Sequence, residues 1–343
     1  MRDVLFLTCF MKHGYGVSVV LDIFARQLAA QGVRAAVAAL DSDDRWTGFP
    51  VYPVDRTVAS VRDAASRLDN PLLVAVTTPF FEMIRELSAT HDCWAWEMGD
   101  PTPGLFPDRQ AREDIIKNKK VISYPYARGL FVLSHFLKAE IGQKHAVVIH
   151  LGCDHMPDLG TKGLAELPAE TGRPLRVGTL MRFGKGEAFY KGGHLYLKLI
   201  DDLEAAGADR AFEFHAAGAG TAADAGDLAQ RGLATHLNLT DEEKAAYLRS
   251  LDVFISFSLW EGFNLPLVEA QALGTVALAF DTGAHPEVTP FVCRDVNDIR
   301  QQLLAFAGDR AHLLRCSAMA YRFVRQRFNW AAAVGRMAAC LER

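Results

Sequence analysis

Two glutamates, Glu261 and Glu269, stand eight positions apart within Glu261-Gly262-Phe263-Asn264-Leu265-Pro266-Leu267-Val268-Glu269-Ala270-Gln271-Ala272. A carboxylate accepts hydrogen bonds from vicinal hydroxyls, and bonds to a charged acceptor are the strong ones. One acid lies on a glycine-containing loop and the other on the helix expected after it, so both could reach a single ligand. Ahead of the pair, residues 251–257 form a short, nearly continuous apolar run, as a buried parallel strand requires. Behind it, residues 267–273 read as the start of a helix. Pro266 suits the first turn, where its missing N–H would have had no intrahelical partner. Strand, loop and helix in that order set loop N–H groups and the positive helix end at the carboxyl edge of a sheet. That edge binds anions and is the ligand position of open α/β folds.

These elements belong to a longer alternation. Strands are expected at residues 4–8, 35–40, 72–77, 93–96, 130–133 and 146–150, and again at 175–181, 211–216, 253–257 and 275–280. Apolar residues at helical spacing mark 17–30, 193–206, 241–250 and 267–273. The alternation implies parallel sheets covered by helices, an α/β chain. Its 343 residues exceed the roughly 250–300 at which one core stops growing. Glycine, proline, threonine and glutamate without a clear period fill the middle of the chain. The expected division is therefore a domain over 1–158, a linker over 159–173, a second domain over 174–327 and a final helical segment over 328–343.

Composition excludes several classes. With 37 Lys+Arg against 41 Asp+Glu the net charge is −4, which argues against a nucleic-acid partner. No stretch of 18 apolar residues would span a membrane, and residues 4–10 lack the flanks of a signal peptide. Six scattered cysteines fit reduced thiols and offer no zinc site. The expected location is cytoplasmic.

The stretch from Glu261 to Ala272 closely resembles the E-G-F-x-L-P-x-x-E-A-x-A signature of the retaining GT-B glycosyltransferases, the nucleotide-sugar-dependent group 1 kind often called family 4. The resemblance implies two doubly wound, Rossmann-like domains facing a central cleft. The first would lie on the acceptor side, the second would bind the donor, and the last helix would cross back to the first. It also implies roles: Glu261 bonds a hydroxyl of the donor sugar, Glu269 takes the ribose hydroxyls, and backbone around Gly262, Phe263, Asn264 and Leu265 meets phosphate and sugar. Residues 176–182, followed by Lys191-Gly192-Gly193, resemble the family's arginine and Lys-Gly element, whose cations hold the donor diphosphate. Carried over, these are Arg182 and Lys191, which with Glu261 form the expected catalytic set. Fixed cations stabilise the negative charge that grows on a departing diphosphate. The spacing from Arg182 to Lys191 is longer than usual in the family, and Lys185 is a rival for the second cation. Gly218 sits in a turn resembling the one beside the nucleotide, and Gly16 in a loop resembling the glycine-rich first loop. A dinucleotide fingerprint fails there, because Val19 occupies its third glycine position.

Other polar clusters read more ambiguously. Many relatives have a histidine with a nearby aspartate in the region that here reads Trp94-Ala95-Trp96-Glu97-Met98-Gly99-Asp100, so Glu97 and Asp100 are the acceptor-side candidates, with a cap or turn as the other reading. Asp41-Ser42-Asp43 has the form of a metal-binding D-x-D but reads better as a solvated loop. Lys117-Asn118-Lys119-Lys120 reads as a solvated helix end, with contact to anionic lipid or a charged acceptor as the alternative. His150 and His155 read as packing or surface residues. The function implied is retaining transfer of a hexosyl group from a nucleotide-diphosphate sugar to a hydroxyl of a glycan, a lipid-linked glycan or a small molecule. UDP, GDP and ADP sugars all remain open as donors. No cofactor and no metal is expected, and a lipid-linked acceptor would bring peripheral contact with the inner membrane face. A GT-B sugar-nucleotide epimerase and a non-catalytic GT-B accessory subunit are the alternatives.

Overall fold

Runs such as Val4-Leu5-Phe6-Leu7 are apolar on both sides of an extended chain, so they become strands covered on both faces. The computed structural model describes residues 2–163, 173–184 and 187–342, with the backbone alone at 187 and 188. Lys185 and residues 164–172 of the expected linker lie outside the described residues. One parallel sheet contains β1 (Val4–Met11), β2 (Ala35–Ser42), β3 (Val51–Pro53), β4 (Leu72–Ala75), β5 (Cys93–Glu97), β6 (Gly129–Val132) and β7 (Val147–Val148). Their order is β3-β2-β1-β4-β5-β6-β7, and Val4 lies opposite both Ala35 and Leu72. The order runs outward from β1 in both directions, which makes the carboxyl ends of β1 and β4 the switch point.

A second parallel sheet contains β8 (Leu175–Leu180), β9 (Phe212–Gly218), β10 (Ala234–Leu237), β11 (Val253–Ser256), β12 (Val276–Phe280) and β13 (Val292–Cys293), in the order β10-β9-β8-β11-β12-β13. Its switch point lies between β8 and β11, whose loops carry Arg182 and Glu261. The core beneath it includes Val177, Tyr196, Leu199, Ile255, Phe257, Leu278 and Phe306.

The chain divides into two compact units, Met1–Gly152 with Trp330–Arg343, and Cys153–Asn329. The helix Trp330–Leu341 buries Trp330, Ala333, Val334, Met337, Ala338 and Leu341, one apolar stripe at helical spacing. Trp330 meets the Phe24 ring edge-on at 6.0 Å. Gly152 leaves it room, since a Cβ there would collide with the Trp330 backbone and indole.

Three features depart from the sequence reading. The strands β3, β10 and β13 were not expected; at three, four and two residues they are too short to show a period. The basic stretch is not wholly solvated: Lys119, where the helix Arg109–Asn118 passes into one π-helical turn, Lys119–Ser123, is buried, while Val121 is exposed. Asp41 and Asp43 are more engaged than a solvated loop implies. Asp41 pairs with Lys12, and Asp43 Oδ2 accepts from the His13 N–H at 2.9 Å.

Replacing Trp330 by alanine should remove the anchor of the returning helix and destabilise the first unit by roughly 3–5 kcal/mol. Urea unfolding followed by circular dichroism reads this directly. An unchanged midpoint would show that the helix contributes nothing to that core.

Candidate active site

The loop after β11 is fixed by a buried amide. Asn264 has φ 72, a left-handed conformation that asparagine tolerates better than most residues. Its Oδ1 accepts from the Leu267 N–H at 3.2 Å and caps the helix Leu265–Ala272. Its Nδ2 donates to Ser256 Oγ at 2.8 Å and to His285 Nε2 at 2.9 Å. The Nδ1 of His285 lies 2.9 Å from the Phe280 carbonyl, which can only accept, so Nδ1 carries the proton and Nε2 is the acceptor. Burial holds the imidazole below its usual range, in keeping with this neutral form. The side chains of Phe263 and Leu265 are buried, Phe263 edge-on to Phe328 at 5.5 Å, so they anchor the loop rather than face a ligand. Pro266 has no N–H and Asn264 caps Leu267, which leaves the N–H groups of Asn264 and Leu265 to head the helix. Next to Gly262, the Glu261 carbonyl accepts from the Ala284 N–H at 2.9 Å, and the turn at Gly283 (φ 57) presses on the Glu261 backbone where a Cβ would not fit.

Each glutamate is paired with an ammonium group. Glu261 lies 2.7 Å from Lys191 Nζ. Burial pushes the Glu261 carboxyl up, but the Lys191 charge outweighs it and holds the group below its ordinary value. Lys191 is itself pulled down by burial and raised further by Glu261, so the pair is ionised. Gly192 (φ 76) precedes the helix Gly193–Ala205 and packs so close to the Phe257 carbonyl that no Cβ is accommodated. That contact brings Lys191 to the end of β11. Glu269 is 1% exposed, and its Oε1 meets Lys244 Nζ at 2.9 Å and His155 Nε2 at 2.8 Å. Burial raises its pKa; Lys244 first and His155 second overcome this and bring it to about 2. Lys244 is delivered by the helix Asp241–Ser250, whose start is fixed by a reciprocal Thr240 and Glu243 capping box.

Arg182 follows β8 at the same edge. The N–H groups of Met181 and Phe183 on either side of it donate to the Ala217 and Ala219 carbonyls at 2.9 and 3.0 Å, extending the β8–β9 ladder past the strand ends. Gly218 abuts the Met181 carbonyl too closely for any side chain, so close backbone approach accounts for this glycine. The second sheet thus gathers Arg182, Lys191, Glu261 and Glu269 at its carboxyl edge. Lys244 and His155 were missed in the sequence because each meets Glu269 from a distant segment, and no local spacing announces such a pair.

Gly16, Glu97 and Asp100 lie in the first unit. Gly16 opens the helix Gly16–Ala30 with open space around it, while the left-handed residue of that loop is Gly14, φ 79. Glu97, 2% exposed at the end of β5, is fully engaged: Oε1 accepts from Lys119 at 3.0 Å and from the Gly99 N–H at 3.2 Å, and Oε2 from the Tyr124 hydroxyl at 2.7 Å. Asp100 Oδ2 accepts from Lys119 at 2.6 Å, and its side chain remains 32% exposed. Burial raises the Asp100 pKa, with Lys119 opposing.

The Glu269 pairing has a pH signature. A carboxyl held at about 2 in the folded chain and near 4.5 when unfolded contributes stability that is complete above 4.5 and is lost as pH falls toward 2. Lys244→Met leaves a buried carboxylate short of its cation and should cost roughly 3–5 kcal/mol at pH 7. In urea titrations at pH 7, 4 and 3 the gap between wild type and variant should narrow as pH falls. A constant gap would mean that Lys244 acts only by packing.

Comparison with known proteins agrees with this geometry. Residues 177–309 match the family model described as "Glycosyl transferases group 1". The chain is 34% identical over 120 residues to the MMP alpha-(1->4)-mannosyltransferase of Mycolicibacterium hassiacum, covering 32% of this chain and 28% of that protein. It is 32% identical over 92 residues to the lipopolysaccharide core biosynthesis mannosyltransferase LpsB of Rhizobium meliloti, covering 24% of this chain and 25% of that protein. The matched segments therefore span about a quarter of these relatives. Among solved structures, Anabaena HepE in complex with UDP-glucose superimposes with a TM-score of 0.79 at 17% identity over 100% of both chains. Sucrose-phosphate synthase from Thermosynechococcus elongatus does so with 0.77 at 16% identity, over 99% of this chain and 98% of that one. The chain has the GT-B fold, and residues 177–309 of its second unit are similar to the group 1 glycosyltransferases.

Proposed function

We propose that this protein transfers a hexosyl group from a nucleotide-diphosphate sugar to an acceptor hydroxyl, with retention at the anomeric carbon. The observation that carries the reading is the pairing of two ionised carboxylates with cations around one strand-loop-helix segment: Glu261, largely buried, with Lys191, and Glu269, fully buried, with Lys244. Lys191 and Arg182 are assigned to the diphosphate, and Glu261 to a hydroxyl of the donor sugar. Glu269 is assigned to the ribose through Oε2, since Oε1 is already bonded to Lys244 and His155. The N–H groups at Asn264 and Leu265 add positive potential at the helix start. Two mannosyltransferase relatives and a neighbour solved with UDP-glucose support a hexose donor.

In the reaction, the bond from C1 to the diphosphate oxygen breaks, and the diphosphate leaves with the electron pair. The acceptor oxygen bonds to C1 on the face that the leaving group vacates, and the acceptor proton leaves with the nucleotide or to solvent. Lys191 and Arg182 offset the charge on the leaving group, so this reading assigns that task to side chains and requires neither a metal nor another cofactor. No carboxylate nucleophile is assigned. On the acceptor side, Glu97 has both oxygens engaged and acts through Lys119, whereas Asp100 keeps an oxygen for an acceptor hydroxyl. The acceptor class is a glycan, a lipid-linked glycan or a small molecule, and a lipid-linked one would place the protein at the inner membrane face.

A thermal-shift screen with UDP-, GDP- and ADP-sugars tests the donor site. One donor should raise the melting temperature of the wild type, and Glu269→Ala should abolish the rise. Lys191→Ala should lower kcat by roughly 10²–10³ in an assay of released nucleotide diphosphate. If no nucleotide sugar stabilises the wild type, the donor reading fails, and if the Glu269 variant responds equally, the ribose assignment fails.

A further inference from the structure

A lysine carries its charge on a flexible four-carbon stem, so an ammonium that must meet a ligand at a fixed point has to be held by more than one contact. Lys191 is the cation of the Glu261 pair, and its side chain remains 19% exposed, which leaves the group open to a ligand. Glu261 Oε1, 2.7 Å from Nζ, is the first contact. The second is the ring of the half-buried Tyr190, whose centroid stands 4.7 Å from Nζ, within cation–π range.

The main chain that carries Tyr190 and Lys191 is tied to the loop after β11. The Leu259 N–H donates to the Tyr190 carbonyl at 2.8 Å, and the Gly192 N–H donates to the Phe189 carbonyl at 2.9 Å. Gly192 itself rests against the Phe257 carbonyl. Residues 190–192 are therefore clamped on residues 257–259, just ahead of Glu261, and the ring and the carboxylate that hold Lys191 belong to one hydrogen-bonded frame.

A ring in this place has a chemical consequence that a second carboxylate would not have. The ammonium of Lys119 touches two carboxylates, Glu97 and Asp100, besides the Phe81 ring, and its charge is cancelled where it lies. At Lys191 the second contact is a neutral aromatic face, which restrains the ammonium without adding negative charge where a diphosphate has to approach.

We propose that Tyr190 is a positioning residue: its ring holds the Lys191 ammonium beside Glu261, so that the remaining N–H bonds of Lys191 are presented to the diphosphate of the donor. This rests on the glycosyl-transfer reading above, which assigns Lys191 to the diphosphate, and adds the side chain that aims it.

Isothermal titration calorimetry on the full chain tests the assignment by comparing UDP with UMP, GDP with GMP and ADP with AMP, each pair differing only in the terminal phosphate. In the wild type one diphosphate should bind more tightly than its monophosphate. Tyr190→Leu should narrow that preference roughly tenfold, the scale of a desolvated cation–π contact, with the monophosphate affinity unchanged. Unchanged monophosphate binding also shows that the variant is folded. Tyr190→Phe keeps the ring and should keep the preference. In a Lys191→Met background Tyr190→Leu should have no further effect, since the ring acts only through the ammonium. The inference is overturned if Tyr190→Leu leaves the preference intact or weakens both nucleotides alike. It is also overturned if Tyr190→Phe loses the preference, or if the effects of Tyr190→Leu and Lys191→Met add. A preference that survives in Tyr190→Leu strikes this inference alone, whereas a wild type that binds no nucleotide strikes the donor reading and this inference with it.

Discussion

An ionised carboxylate is among the most expensive groups to take out of water, and the second unit holds one fully buried and one largely buried within one strand-loop-helix segment. Removing such a charge from solvent costs several kcal/mol unless a cation and hydrogen bonds replace the water. Glu269, on the inward face of a helix, meets that requirement through Lys244 and His155, and Glu261 meets it through Lys191. Each partner arrives from outside the segment: Lys191 from the start of one helix, Lys244 from a helix ahead of β11, and His155 from the chain entering the unit. The positions of those elements are therefore constrained by the two acids as much as by their own apolar stripes. Pairing also sets the chemistry. Carboxylates kept charged to low pH are permanent acceptors, and the ammonium group beside Glu261 is a permanent cation.

The backbone crowds toward this edge in a way that only glycine permits. Gly192 touches the Phe257 carbonyl, Gly283 the Glu261 backbone and Gly218 the Met181 carbonyl. Three loops from different parts of the sheet are thus packed main chain to main chain, and the segment from Phe257 to Glu261 is gripped from two sides. Asn264 completes the arrangement, because its amide links the helix start, Ser256 on β11 and the neutral His285 after β12. A histidine with one nitrogen committed to a carbonyl and the other to an amide cannot accept a proton without breaking the second bond. His285 therefore belongs to the scaffold of the loop, and its buried position beside the Glu261–Lys191 pair fits a group that contributes orientation without charge.

How much of this was legible in the sequence depended on how local each signal was. The strands of both sheets that carry long apolar runs, such as β1, β2 and β12, could be read directly, as could the strand-loop-helix around Glu261, because period and punctuation lie within about a dozen residues. The short edge strands β3 and β13 carry no period. Lys119 looked like one of three lysines on a wet surface, and its carboxylate partner Glu97 lies on a strand 22 residues earlier, beyond the reach of any local pattern. The glycines illustrate a subtler loss: their presence was plain, but whether each makes room for a ligand or for another stretch of main chain depends on what lies opposite. Gly218 and Gly192 face backbone, while Gly16 has open space around it.

The two units differ in how they treat charge, and the difference follows the ligands assigned to them. At the edge of the second sheet, the Asn264 and Leu265 N–H groups head a helix, and Lys191 and Arg182 stand nearby, an arrangement suited to a diphosphate. At the edge of the first sheet the buried ammonium of Lys119 is shared between Glu97 and Asp100, with the Phe81 ring 4.4 Å away, so its charge is consumed internally. Lys12 is likewise spent on Asp41. Exposed at this edge are the Phe10 ring and, in part, the Asp100 side chain. A neutral, hydroxyl-rich acceptor suits that edge and would gain little from a free cation, whereas a nucleotide diphosphate would be repelled by the carboxylate.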